Sequence, residues 1–301
     1  MRSVNEEWGI EVDKVNGITT DGGANIKGAA KEVYGVNKHF SCMDHILNLI
    51  GSKALGLHGS KPRPSVTFFR KSEVATSELV KLQIEGTNKT ENDAKRLINE
   101  CRTRWSSGEA MCERFLELSD PVGRTLMKVS LDKSSRSVPP DMLTVSELSS
   151  LTDAQTLLRP LTLTTKSLNS AKTVFISKII PMINSMQSRI QKFQPSTPVG
   201  FNLKQTLLDD IKKFFGNIER TSLYAAATLL DPRFKRVPFN SDVAIAEGMG
   251  YIAKLMNERM NAVRCEAEAE AETNRIFGGL DDPEQVAEPD DDSDDLLASF
   301  D

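Results

Sequence analysis

The sequence predicts a mixed α/β chain that is predominantly α-helical. Three observations carry this. Val15-Asn16-Gly17-Ile18-Thr19-Thr20 is a short strand-like run that ends at Asp21, and a second short strand is expected around Phe40 to Cys42. From about residue 75 onward, every strong apolar pattern has the helical period.

Taken in order, residues 1 to 20 read as a short helix around Trp8 to Ile10 followed by a strand at about 14 to 20, and residues 24 to 35 read as helix. After Cys42, Ile46, Leu47, Leu49, Ile50 and Ala54 fall at helical spacing, which puts His45 in that helix's first turn. Gly56 to Pro64 is rich in breakers and reads as a loop, and it overlaps a linker assigned to 59–74. Ala94, Leu97 and Ile98 share a helical face, and so do Met111, Phe115 and Leu118, with Ser106-Ser107-Gly108-Glu109 as a capping-box start for the second. Asp132 to Asp141, with Pro139-Pro140, is a second loop. Leu157, Leu158 and Leu161 begin a helix near Pro160, and Ile176 to Ile190 forms another that Pro181 is expected to kink. Gln194 to Phe201 reads as a loop. Leu207, Leu208, Ile211, Phe214, Phe215 and Ile218 make the clearest amphipathic helix. Beyond Val237-Pro238, Ile245, Met249, Ile252 and Met256 are in line on a C-terminal helix at 237–278, and its continuation from Glu266 to Glu272 favours helix without an apolar stripe.

Composition narrows the function classes. A chain of 301 residues with 39% hydrophobic content can bury a large core, and it has no apolar window near the roughly 18 residues a membrane span needs. The N-terminal residues carry no signal-like apolar core, so a soluble, non-secreted protein is expected. Four irregularly spaced cysteines favour thiols in a reducing compartment. The net charge of −4 conceals an acidic tail at 279–301, with ten carboxylates and no cation, which is expected to be disordered; the rest of the chain carries +6, permitting contact with a polyanion without arguing for it.

Four motifs carry potential chemistry. Asp21, at a strand end before Gly22-Gly23-Ala24-Asn25, suits metal-held phosphate chemistry and equally suits helix capping. Cys42-Met43-Asp44-His45 has zinc-like spacing, but the only other histidines are His39 and His58 and no second cysteine pair is near, so no metal site is expected. Trp105, preceded by Arg102 and Arg104, could stack on an unpaired base beside guanidinium-phosphate contacts, or could be core. In Ala227-Thr228-Leu229-Leu230-Asp231-Pro232-Arg233-Phe234-Lys235, Asp231-Pro232 should end a helix, leave Arg233 and Lys235 exposed and turn Phe234 inward.

In this order the four motifs resemble those of the hAT-type DNA transposases and the BED zinc-finger proteins domesticated from them. The resemblance covers roughly residues 5 to 236 and implies a partial RNase H-like fold at 1–58 interrupted by a helical insertion domain at 75–236. It implies that Asp21 is a vestigial catalytic residue, the second of three carboxylates. His45 becomes a phosphate neighbour, and Arg104 and Trp105 become the ancestral DNA-contacting pair. The family's BED finger, its first catalytic Asp, its catalytic Glu and its dimerisation pattern find no match here. The resemblance therefore implies a nuclear, transposase-derived protein fragment with ancestral, weak DNA association and possible protein partners, and no catalysis by itself. No cofactor is expected, beyond magnesium if any catalysis were retained. A DNA nuclease fragment completed by carboxylates from elsewhere, and a helical protein-interaction module, are the alternatives.

Overall fold

A computed structural model describes residues 1–58, 61–85, 88, 90–101, 105–132, 138–170 and 176–277. Arg104 and the acidic tail at 279–301 therefore lie outside the described residues. The described chain is mostly helical with one small parallel sheet. It divides into two compact units, Met1–Met249 and Gly250–Asp301.

The first unit opens with helix α1 (Arg2–Glu7), strand β1 (Ile18–Thr20), helix α2 (Ala24–Tyr34) and strand β2 (His39–Ser41). The two strands are parallel, with Ile18 opposite His39 and Thr20 opposite Ser41. Parallel strands need a crossover, and α2 supplies it. Tyr34 Oη donates to Oδ1 of the buried Asn5 at 2.7 Å and ties α1 to the end of α2.

Helices α3 (Met43–His58), α4 (Arg63–Lys71), α5 (Glu73–Ile84), α6 (Trp105–Glu117), α7 (Ser119–Leu131), α8 (Val145–Ser170), α9 (Ile179–Lys192), α10 (Pro198–Phe215) and α11 (Ser222–Leu230) follow. Helix α12 (Asp242–Phe277) begins in the first unit, and its remainder is the described part of the second. No described helix is long and apolar enough to cross a membrane.

The core is built where the periodicity places it. Helix α3 packs against α6, α8 and α10. It contributes Leu47, Ile50 and Ala54, facing Met111 and Phe115 of α6, Leu157 and Leu161 of α8, and Leu203, Leu207 and Ile211 of α10 in one buried cluster. Ile180, Ile183, Met186 and Ile190 extend it along α9. Full burial of such side chains contributes about 1.5–3 kcal/mol each.

Five local expectations are corrected. Ala94, Leu97 and Ile98 do not lie on a helix: a 3-10 turn at Glu91–Asp93 gives way to irregular chain. There Gln83 of α5 pairs with both the Lys95 N–H and its carbonyl at 2.9 Å, and Arg114 of α6 donates to the Arg96 carbonyl, so neighbouring side chains hold the backbone groups a helix would use. The capping box at Ser106 and Glu109 does not form, because α6 already begins at Trp105 and Glu109 turns inward to accept from Gln155. Pro181 sits in the first turn of α9, where its missing N–H removes no helical bond. Helix α4 occupies Arg63–Lys71, within the expected linker. The expected loop at 194–201 is shorter, because Thr197 caps α10 through the Gly200 N–H at 3.1 Å and Pro198 takes the first helical position.

Candidate functional site

Asp21 follows the last residue of β1, and Cys42 follows the last residue of β2. Because the strands are parallel, both stand at the carboxyl edge of the sheet, the edge at which open α/β sheets meet their ligands. The Cys42 N–H donates to the Thr20 carbonyl at 2.8 Å and carries the pairing one residue further. The exposed Asp21 carboxylate accepts from the Gly23 N–H at 3.1 Å in the turn that leads into α2.

His45, the third residue of α3, is half-buried and lies over Gly22. A Cβ at position 22 would stand 2.5 Å from His45 Nε2, so the approach of ring to backbone needs glycine there. The edge thus brings together a carboxylate, an imidazole and the first turn of a 16-residue helix. On the inner side, Thr20 Oγ1 lies 2.8 Å from His39 Nε2. Burial, and the charges of Lys31 and Lys27, push the His39 pKa down and keep that ring neutral at pH 7. Phe40 of β2 leans on Tyr224 of α11, ring centroids 5.1 Å apart, which seats the sheet on the helical body. Burial pushes the Tyr224 hydroxyl up to about 12, so it stays protonated.

Among the described residues, no three His, Cys, Asp or Glu side chains come together as a metal-holding group. A single carboxylate does not supply the ligands that a metal pair needs, so the described residues at this edge do not fit a two-metal centre.

Trp105 belongs to the core. It is 5% exposed, and its indole lies so close to Gly51 of α3 that a Cβ there would overlap the ring. It also borders a cleft of about 260 Å³, across which Arg63 pairs with Glu100 at 2.7 Å. Sheet edge and indole both meet α3, at His45 and at Gly51.

The Asp231 element is structural, as its residue types suggest. Helix α11 ends at Leu230, and the Asp231 carboxylate accepts from Ser177 Oγ at 2.7 Å, the Arg233 N–H at 3.0 Å and the Arg233 guanidinium at 2.6 and 2.9 Å. The guanidinium and these hydrogen bonds hold its pKa well below the usual carboxylate range. Arg233 and Lys235 are exposed, and Phe234 is half-buried.

A cationic surface escaped the sequence reading. A cleft of about 830 Å³ between α4, α5 and the 91–99 segment is lined by Arg70, Lys71, Lys81 and Arg96, with Glu73 and Glu91 also on its wall. None of the four cations has an ion-pair partner among the described residues. The cations come from three separate segments, so no sequence run announces them.

No protein-family model matches the chain, and no solved structure matches it. It is 24% identical over 293 residues to the human zinc finger BED domain-containing protein 4, an alignment that covers 94% of this chain and 23% of that protein. The chain thus spans about a quarter of the length of this relative, and over nearly all of its own length it is distantly similar to a BED zinc-finger domain-containing protein.

Proposed function

We propose that this chain is a segment of a transposase-derived, hAT-like protein that works in the nucleus on DNA and that these residues by themselves catalyse no strand cleavage. The observation that carries the reading is the sheet edge, where Asp21 ends a strand parallel to the one that leads into Cys42-x-x-His45, and Gly22 lets the imidazole settle beside it. In this reading β1 and β2 are a remnant of an RNase H-like sheet, and the helices after α3 are its insertion. Asp21 is a vestigial ligand, left without companion carboxylates in the segment. His45 and the first turn of α3 favour a phosphate oxygen there, through ring and backbone N–H groups.

The distant similarity to a BED zinc-finger protein supports the same ancestry. DNA contact falls to the Arg70, Lys71, Lys81 and Arg96 cleft, whose cations have no ion-pair partner among the described residues and suit backbone phosphates. The test is binding of a labelled duplex oligonucleotide across a salt series. Affinity should fall steeply as salt rises, and joint Arg70→Glu and Lys81→Glu replacement should lower it about tenfold or more at low salt. Absence of binding at low salt, or binding indifferent to both replacements, would count against the DNA reading.

A further inference from the structure

Two neighbouring hollows lie on the outer side of α8 and α9, one of about 480 Å³ and one of about 360 Å³. They share Pro160, Leu163 and Arg189, so they form one continuous groove. Its exposed apolar floor is Leu163 with part of Met182; Pro160 and Met186 lie buried beneath them, and Phe234 borders one hollow and Phe193 the other. Leu163 is 42% exposed in the middle of this floor. The rim carries Lys178 and Arg189 along the first hollow and Arg159, Arg189 and Lys192 along the second. No carboxylate lines either hollow. Arg159 reaches Glu113 only at 4.0 Å, with both side chains in water, so it remains available.

We infer that this groove is a docking site for an acidic amphipathic helix from a protein partner. Two features select that occupant. The exposed rim cations Arg159, Arg189 and Lys192 complement glutamate or aspartate and repel a basic segment. The exposed apolar part of the floor, Leu163 with Met182, can take leucine-type anchors at i, i+3, i+4 and i+7 from a helix. Unpaired nucleic-acid bases need ring faces to stack on, and along this floor rings occur only at Phe193 and Phe234, each half-buried. The site gives the Asp231-Pro232-Arg233 turn a second use: by fixing that turn, Asp231 holds Phe234 in the groove wall. The inference does not depend on the transposase-derived reading, because it rests on a different face and a different ligand.

The experiment titrates the full chain into a fluorescein-labelled synthetic helix with leucine at those anchor positions and glutamate elsewhere, read by anisotropy. A scrambled peptide of the same composition, a lysine-for-glutamate peptide and a single-stranded oligonucleotide are run alongside. The acidic helix should bind, and the scrambled and lysine peptides should bind at least about tenfold more weakly. Arg189→Glu with Lys192→Glu should weaken the acidic helix about tenfold or more, and Leu163→Asp, which removes floor and leaves the rim intact, should do the same. Thermal melts followed by circular dichroism establish that each variant is folded; Leu163→Asn replaces Leu163→Asp if the latter does not fold. Equal binding of the scrambled peptide, failure of the acidic helix to bind, or binding of the oligonucleotide alone with loss in Arg189→Glu would each overturn the proposal.

Discussion

Gly51 and Glu109 show how single residues are fixed by what lies against them. Gly51 gives Trp105 its place, because any Cβ there would enter the space of a ring that is itself buried and cannot step aside. Gly51→Ala should therefore cost about 1–3 kcal/mol, read as a lower urea midpoint, and an unchanged midpoint would contradict the packing. Glu109 is 4% exposed, and burial raises its pKa above the ordinary carboxylate value. The folded protein then holds this proton more tightly than the unfolded chain, so the stability from this group falls as pH rises from the unfolded value through the folded one. Glu109→Gln keeps an acceptor for Gln155, whose Nε2 donates at 2.6 Å. The variant should melt higher than the parent at neutral pH, with the difference vanishing in acid once Glu109 is protonated; a lower melting point at neutral pH would contradict this. The sequence placed Asp21 and His45 at the right element ends, because strand ends and helix starts leave local signatures. It could not place Trp105 against Gly51 or turn Glu109 inward, because those contacts join residues on different helices.

At the scale of elements, Asp153 of α8 does for α10 what local sequence does for most helices. Its buried carboxylate accepts from the Ser196 N–H at 2.9 Å, the Thr197 N–H at 2.8 Å and Thr197 Oγ1 at 2.7 Å, and Thr197 in turn caps α10. Gly200 leaves room for it, since a Cβ there would stand 2.5 Å from Asp153 Oδ2. Asp153→Ala would leave buried donors without an acceptor and should cost about 3 kcal/mol by chemical unfolding; a loss within the scatter of surface substitutions would contradict the tie. The helices were legible wherever an apolar stripe runs on one face, as for Leu207, Ile211 and Phe215 of α10, all buried, although Phe214 of the same stripe is exposed and Ile218 falls in a 3-10 turn beyond the helix. Residues 94 to 98 show the opposite case. Their apolar spacing is helical, yet Gln83 and Arg114 hold their backbone groups in an irregular course, a tertiary override invisible to periodicity.

For the molecule as a whole, two cationic surfaces lie on different helices of the first unit. The cleft at Arg70 and Lys81 carries Glu73 and Glu91 beside its cations, whereas no carboxylate lines the groove at Leu163 and Arg189 among the described residues. The first is proposed for DNA and the second for an acidic helix, and their variants act on separate helices, so each set serves as a control for the other. The predominantly helical class was readable from the sequence because the 3.6-residue period persists over most of the chain. The cationic cleft was not, because Arg70, Lys81 and Arg96 meet only after α4, α5 and the irregular segment pack together.

Asp21 stands at the sheet edge, and among the described residues it joins no metal-holding group of three His, Cys, Asp or Glu; we propose that it is a vestigial ligand. The most direct test is a strand-nicking assay on hairpin-forming duplex DNA in magnesium and in manganese, with the parent chain and Asp21→Ala side by side. No cleavage by either protein, under salt conditions where the parent binds the DNA, is the expected result; metal-dependent nicking by the parent that disappears in Asp21→Ala would contradict it.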